Sequence, residues 1–229
     1  MYILLIIKRI TKRKRTRPIS YGMDIIEKLT EVFKEFPGIG ERQARRFVYF
    51  LMSRNGGYNE NLSALILDLK KEVAQCRECF RFFIMDRKIL PAGRQVCDIC
   101  ANTNIDSSVL MVVEKDSDLE SIRKSRVYGG KYFILGGLVP IVEKSTKSRV
   151  RIEELKERIK KEKDLKEVIL AFSLSPQGDH TDTYVREQLK EITEEQNVKV
   201  SSLGKGLSTG TELEYSDNDT LKNALKNRQ

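Results

Sequence analysis

Apolar residues recur three and four apart over 24–36, at Ile25, Ile26, Leu29, Val32, Phe33 and Phe36, with Asp24 placed to cap the first turn. The spacing predicts a helix there. Pro37-Gly38-Ile39-Gly40 interrupts it, and a second helical stretch over 41–53 carries Ala44, Phe47, Val48 and Leu51 on one face. A third, over 61–74, carries Leu62, Leu65, Ile66, Leu69 and Val73. Beyond a cysteine-bearing segment at 75–104 the pattern changes. Short apolar runs at 109–113, 132–135, 168–172 and 198–203 alternate with amphipathic stretches at 116–124, 152–162, 182–195 and 217–226. Strands alternating with helices predict a mostly parallel sheet covered on both faces. The expected fold class is therefore α+β and multi-module, with helices first and an α/β domain after them.

Composition changes this picture little. The chain has 229 residues, 40% hydrophobic and 33% charged, which allows one mid-sized domain and one or two small modules. Its net charge of +9 reads at first as a nucleic-acid signature. Lys8, Arg9, Lys12, Arg13, Lys14, Arg15 and Arg17 supply seven of those charges, and without them the rest of the chain stands at +2. DNA binding must then rest on local patches. The apolar run Tyr2-Ile3-Leu4-Leu5-Ile6-Ile7 is too short to span a bilayer, and its basic residues follow it where a secretory signal would place them first. We expect 1–22 to be a basic extension, either a disordered tail or a stretch upstream of a protein starting at Met23, and assign it no function.

All four cysteines fall into two Cys-x-x-Cys pairs, Cys76/Cys79 and Cys97/Cys100, with seventeen residues between them. Two residues between sulfurs let a tight turn aim both thiolates at one point. Two such turns facing each other make a closed tetrahedral Zn2+ site, one per chain and structural, because no position is left open for water. Four unrelated buried thiols are the bland alternative. A disulfide staple fits less well in a chain this long without a secretory signal.

The two helices joined by Gly38-Ile39-Gly40 have the pattern of a helix-hairpin-helix. Its glycines permit close approach of a foreign backbone, and its second helix can offer N–H groups to a phosphate. Arg42 and Arg46 lie four apart on one face beside that N-terminus, with Arg45 adjacent. Cations there oppose the helix dipole, and an anionic partner would offset this. An ordinary αα-hairpin with solvated arginines is the competing reading.

In the second half, Glu114 ends a buried strand, where open α/β sheets bind ligands. The 168–172 strand is expected to run into a loop carrying Gln177, Asp179 and His180. Metal-dependent phosphoryl-transfer enzymes of this architecture hold Mg2+ with a glutamate after one strand and an Asp-x-Asp pair after another. Here at most one of the paired acids survives, and Glu114 and Asp179 could equally be capping groups. Gly204-Lys205-Gly206 and Gly130-Lys131-Tyr132 do not match a P-loop. One histidine and no supporting pattern leave hydrolase chemistry without a basis.

Taken in order, these elements resemble the bacterial RecR family of recombination mediators. The resemblance rests on Phe36-Pro37-Gly38-Ile39-Gly40 with its following arginines, the cysteine quartet, Val112-Val113-Glu114, the run from Gly129 through Leu138, Glu167-Val168-Ile169-Leu170-Ala171, and the tail from Thr211 to Asp217. It covers 23–229. It implies a helix-hairpin-helix module at 23–74, a four-cysteine zinc module at 75–104, a Toprim-type α/β domain at 105–203, and a glycine-rich segment and helix at 204–229. The chain departs from the family pattern in a longer stretch around Ile89–Gln95, in the loop at 139–146, and in Gln177-Gly178-Asp179 where the family has Glu-Gly-Glu.

The resemblance implies a non-catalytic protein of the bacterial cytoplasm and nucleoid, acting in recombinational DNA repair. It would form a dimer or tetrameric ring on single- and double-stranded DNA and help load RecA with RecO and in some species RecF. Gly38, Gly40, Arg42, Arg45 and Arg46 would contact DNA, and Glu114 and Asp179 would lie at a partner-binding or vestigial acidic site. A Mg2+-dependent Toprim nuclease and a stand-alone zinc-ribbon adaptor are the alternatives.

Overall fold

The structure is a computed structural model that describes residues 24–85, 95–142, 150–204, 206–207, 210 and 212–226. The basic extension, most of the stretch around Ile89–Gln95, and Lys205, Ser208, Thr209 and Thr211 lie outside the described residues. The chain divides into two compact units, 1–69 and 70–229.

In the first unit α1 (Ile25–Lys34) is capped by Asp24, whose carboxylate accepts from the Glu27 N–H. α2 is Glu41–Met52 and α3 Gly56–Glu72. Phe33 joins the first two helices, meeting Phe47 edge-on at 5.7 Å while stacking on Phe36. Ala44 and Val48 are buried on the α2 face toward this contact. Phe50, Tyr58 and Arg54 form a second cluster, with the guanidinium 4.3 Å from the Phe50 ring centre. The sequence places the third helix at 61–74, yet it begins five residues earlier and stops at Glu72. It also buries none of its residues: Leu65, Ile66 and Leu69 are each about 60% exposed.

The second unit opens with β1 (Val73–Gln75) and β2 (Phe82–Ile84), an antiparallel pair that brings Cys76 and Cys79 to its turn. A short helix α4 (Asp98–Ala101) carries the second cysteine pair. Then follow β3 (Asp106–Val113), α5 (Asp116–Ser125), β4 (Gly130–Ile134), α6 (Ile152–Lys161), β5 (Glu167–Ala171), α7 (Pro176–Glu195), β6 (Lys199–Ser202), a 3-10 turn at Leu213–Tyr215 and α8 (Asn218–Lys226). The four later strands form one parallel sheet in the order β4-β3-β5-β6.

Period-two alternation explains how this sheet is covered. Leu110, Val112, Phe133, Val168 and Leu170 point to one face and pack with Leu155 and Ile159 of α6 and Val185 and Leu189 of α7. Met111, Val113, Tyr132, Ile134 and Ala171 point to the other, where Leu119 of α5 and the cysteine module cover them. The module is thus part of the core of the α/β domain. Its attachment includes a backbone bond from Ile134 N–H to the Cys79 carbonyl at 2.8 Å.

α7 departs from the sequence expectation. The stretch 173–181, read as a loop, is helical from Pro176 onward. Ser175 caps it, accepting from Gly178 N–H at 3.1 Å, and Pro176 sits at the first helical position, where its missing N–H costs nothing. Gly178 is required by space, since a Cβ there would lie 1.9 Å from the Ser173 carbonyl oxygen.

Candidate nucleic-acid interface and metal centre

The Gly38–Gly40 turn starts with a left-handed residue, Gly38 at φ +77°, which lets the Ile39 N–H reach back to the Phe36 carbonyl at 3.1 Å. Gly40 is different. It is the N-cap of α2 with φ −83° and ψ 171°, a conformation open to any residue, and a Cβ there would meet nothing within 4 Å. It also supplies no side-chain cap, so the first-turn N–H groups of α2 have no acceptor from that position. Arg42, Arg45 and Arg46 are all exposed on this turn of helix. Arg45 lies 3.3 Å from Glu41, and Arg46 donates to the Gln43 side-chain oxygen at 3.3 Å. Arg42 has no carboxylate partner among the described residues. The structure therefore gathers Gly38, Gly40 and the three arginines at one open helix start.

The cysteine sulfurs converge as the spacing predicts. All four Sγ atoms lie within 4.8 Å of one another, and the Cys79–Cys97 pair is separated by 3.6 Å. A tetrahedral site with metal–sulfur bonds of about 2.3 Å has sulfur–sulfur edges of about 3.8 Å. Cys76, Cys79 and Cys97 are fully buried. The turn geometry comes from Phe80 at φ 63°, from Phe80 N–H bonding the Cys76 carbonyl, and from the Glu78 and Cys97 N–H groups, which each donate to Cys76 Sγ at 3.4 Å.

Sulfurs this close oppose one another's ionisation. Hydrogen bonds from Cys100, Cys79 and Cys97 pull the Cys76 thiol down, while contact with Cys100 and then Cys76 pushes Cys79 up. A central cation would let all four be thiolates at once. Soft donors in a closed set of four fit a metal such as zinc, and hard cations call for oxygen ligands instead. Among the described residues this is the one group of three or more His, Cys, Asp or Glu side chains that could hold a metal ion.

The carboxylates beyond the carboxyl ends of β3 and β5 are arranged less tightly. Glu114 follows β3, its carbonyl accepting from Gly136 N–H at 2.9 Å and its carboxylate 4.0 Å from Lys115 Nζ. Asp179 stands in the first turn of α7, where a negative charge suits the helix dipole. It lines a cavity of about 260 Å³ with Ser173, Asp182 and Ser202, and Glu114 is not part of that lining. Asp182 itself is held by Arg186, whose other nitrogens bond the Val200 carbonyl and Ser202 Oγ. His180 is likewise a residue of α7, not of a loop.

Sequence reasoning missed the side chains that brace the cysteine module. Arg81 and Arg123 each place a nitrogen 2.9 Å from Asp98, and Arg158 places one 2.7 Å from Glu78. The visible signal was one carboxylate inside each Cys-x-x-Cys; the partners are too distant in sequence to be read. Burial, the largest single influence on Arg158, pulls its pKa down, but the negative groups Cys100, Glu162 and Glu78 outweigh it and the net direction is up. No helix among the described residues is long and apolar enough to cross a membrane.

Comparison with known proteins agrees with this layout. The family model described as "Toprim domain" matches residues 108–204, and that described as "RecR, C-terminal" matches 206–229. A protein named Recombination protein RecR from Lactobacillus acidophilus is 32% identical over 203 residues, covering 89% of this chain and 96% of the relative. Its namesake from Bacteroides thetaiotaomicron is 34% identical over 209 residues, covering 91% and 95%. That of Amoebophilus asiaticus is 32% identical over 210 residues, covering 92% and 98%. With near end-to-end matches at this identity and a Toprim-type sheet in place, the chain belongs to the RecR family of recombination proteins.

Proposed function

We propose that this chain is a recombination mediator in DNA repair that binds DNA and has no catalytic activity of its own. One observation carries the DNA-binding part. α2 starts at an uncapped glycine in open space, with three exposed arginines on its first turns. N–H groups and guanidinium cations at one helix start are suited to backbone phosphate, which positions a protein on nucleic acid without reading sequence. On this reading Gly38, Gly40, Arg42, Arg45 and Arg46 grip single- and double-stranded DNA alike.

The four cysteines hold one Zn2+, which ties the β1–β2 hairpin and α4 into the sheet's core and does no chemistry. The exposed Leu65, Ile66 and Leu69 on α3 support association of chains into a dimer or ring, since soluble proteins seldom leave such a stripe uncovered. Glu114 and Asp179 belong to a surface that engages RecO, and RecF where present. The test is RecA loading on single strands coated with single-strand-binding protein. The full chain should accelerate loading only together with its RecO. Mg2+-dependent cleavage of DNA, lost in Glu114→Gln, would replace this reading with an enzymatic one.

A further inference from the structure

Each Cys-x-x-Cys turn carries one carboxylate between its sulfurs, and each carboxylate is held by an arginine from a different helix of the α/β domain. Glu78, in the first turn, receives Arg158 of α6 at 2.7 Å. Asp98, in the second, receives Arg123 of α5 at 2.9 Å. The two grips are unequal. Arg123 is 45% exposed, and Asp98 keeps a second partner in Arg81, whose side chain is 8% exposed. Arg158 is 5% exposed and is the one ion-pair partner of Glu78 among the described residues. Its other terminal nitrogen lies 2.7 Å from Glu162, which in turn meets Lys131 of β4 at 3.1 Å.

We propose that Arg158 is a positioning residue for the metal centre, holding the first Cys-x-x-Cys turn through Glu78 so that metal retention depends on α6. The route is short. The Glu78 backbone N–H donates to Cys76 Sγ, so fixing the Glu78 side chain fixes that donor. Charge acts in the same direction: four thiolates around a dication leave two negative charges, and Arg158 and Cys100 line one cavity of about 370 Å³. Groups outside the ligand shell that orient ligands typically alter metal affinity ten- to a hundredfold. This inference rests on the zinc assignment above.

The experiment follows release of zinc from the full-length protein to excess chelator, by a colorimetric zinc dye, at a temperature where circular dichroism shows every variant folded. Arg158→Gln and Glu78→Gln should each speed release about tenfold or more. Because they act through one another, the double variant should release zinc no faster than the faster single one. Arg158→Lys should recover most of the native rate, and Arg123→Gln should stay within about twofold of it. Native release from Arg158→Gln, or a double variant whose acceleration is the product of the two singles, overturns the inference. If Arg158→Gln does not fold, Glu78→Gln decides alone, and a native release rate there overturns it. Metal analysis of the wild-type protein separates the two levels: absence of bound zinc removes the metal assignment itself, whereas one zinc per chain with unaltered variant rates removes only the role of Arg158.

Discussion

Gly40 separates folding from DNA binding within one residue. Replacing it with alanine changes two folding terms of opposite sign. The unfolded chain loses freedom, which stabilises by about 0.4–1 kcal/mol. Alanine is also a poorer N-cap than glycine, by roughly 0.5–1 kcal/mol. With φ at −83° and no atom within 4 Å of the new Cβ, nothing else is disturbed, so stability should change by less than about 0.5 kcal/mol. On DNA the expectation differs. If a phosphate approaches the first-turn N–H groups of α2, the methyl group stands beside it, and losing one charge-assisted hydrogen bond costs about 1.5–3 kcal/mol. That is roughly a ten- to hundredfold loss of affinity. Gly38→Ala is the complementary control: at φ +77° the alanine is strained by about 1–2 kcal/mol, partly offset by the unfolded-state term. The assays are urea denaturation and fluorescence anisotropy with a labelled oligonucleotide at one fixed salt concentration. Native DNA affinity in Gly40→Ala, or a loss that merely tracks lost stability, would refute the phosphate-approach reasoning.

Three further outcomes test the second unit. Gly178→Ala, whose Cβ would stand 1.9 Å from the Ser173 carbonyl, should lower the stability measured in urea by about 1–3 kcal/mol; an unchanged midpoint would show that the start of α7 yields freely. Tyr128, whose single phenol proton lies within reach of both the Lys131 and Val109 carbonyls, has its pKa pushed up chiefly by burial. The folded state then holds this proton more tightly than the unfolded state, so its contribution is intact below the ordinary value near 10 and should fall as pH rises above it; a Tyr128→Phe protein should lack that share of the alkaline decline. Chelating the zinc should remove about 2.7 kcal/mol of stability relative to free metal held a hundredfold above its dissociation constant, and hydrogen exchange should rise first in Phe82–Ile84 and Asp98–Ala101. Unchanged exchange on metal removal would mean that the module folds without it.

What could be read from the chain, and what could not, follows the range of the interactions. β3 was legible from the apolar run at 109–113, although it starts at Asp106, because its first residues are polar and only partly buried. The cysteine centre was legible because tight turns set both ends of each pair locally. α3 was misplaced at its end: Val73–Gln75 keeps apolar character but pairs with Phe82–Ile84, a non-local contact that helical periodicity does not report. At α7 the Ser175-Pro176 start signal was present, and Gly178 masked it, being read as a loop residue when it is needed for close packing against Ser173. The bond between Glu78 and Arg158 spans 80 positions and joins a turn to a helix that packs on the opposite sheet face. No local pattern encodes such a pairing.

The central claim is that α2 grips DNA by its phosphates, and the salt dependence of binding tests it most directly. Equilibrium titrations of the full chain with duplex and with single-stranded oligonucleotides, across a series of salt concentrations, give the number of phosphate contacts from the slope of log affinity against log salt. Replacing Arg42 and Arg46 together by alanine should reduce the magnitude of that slope by about 1.8 per chain on duplex and about 1.4 on single strands, with affinity falling on both and no change in sequence preference. Wild-type slopes and affinities in the double variant would contradict the account.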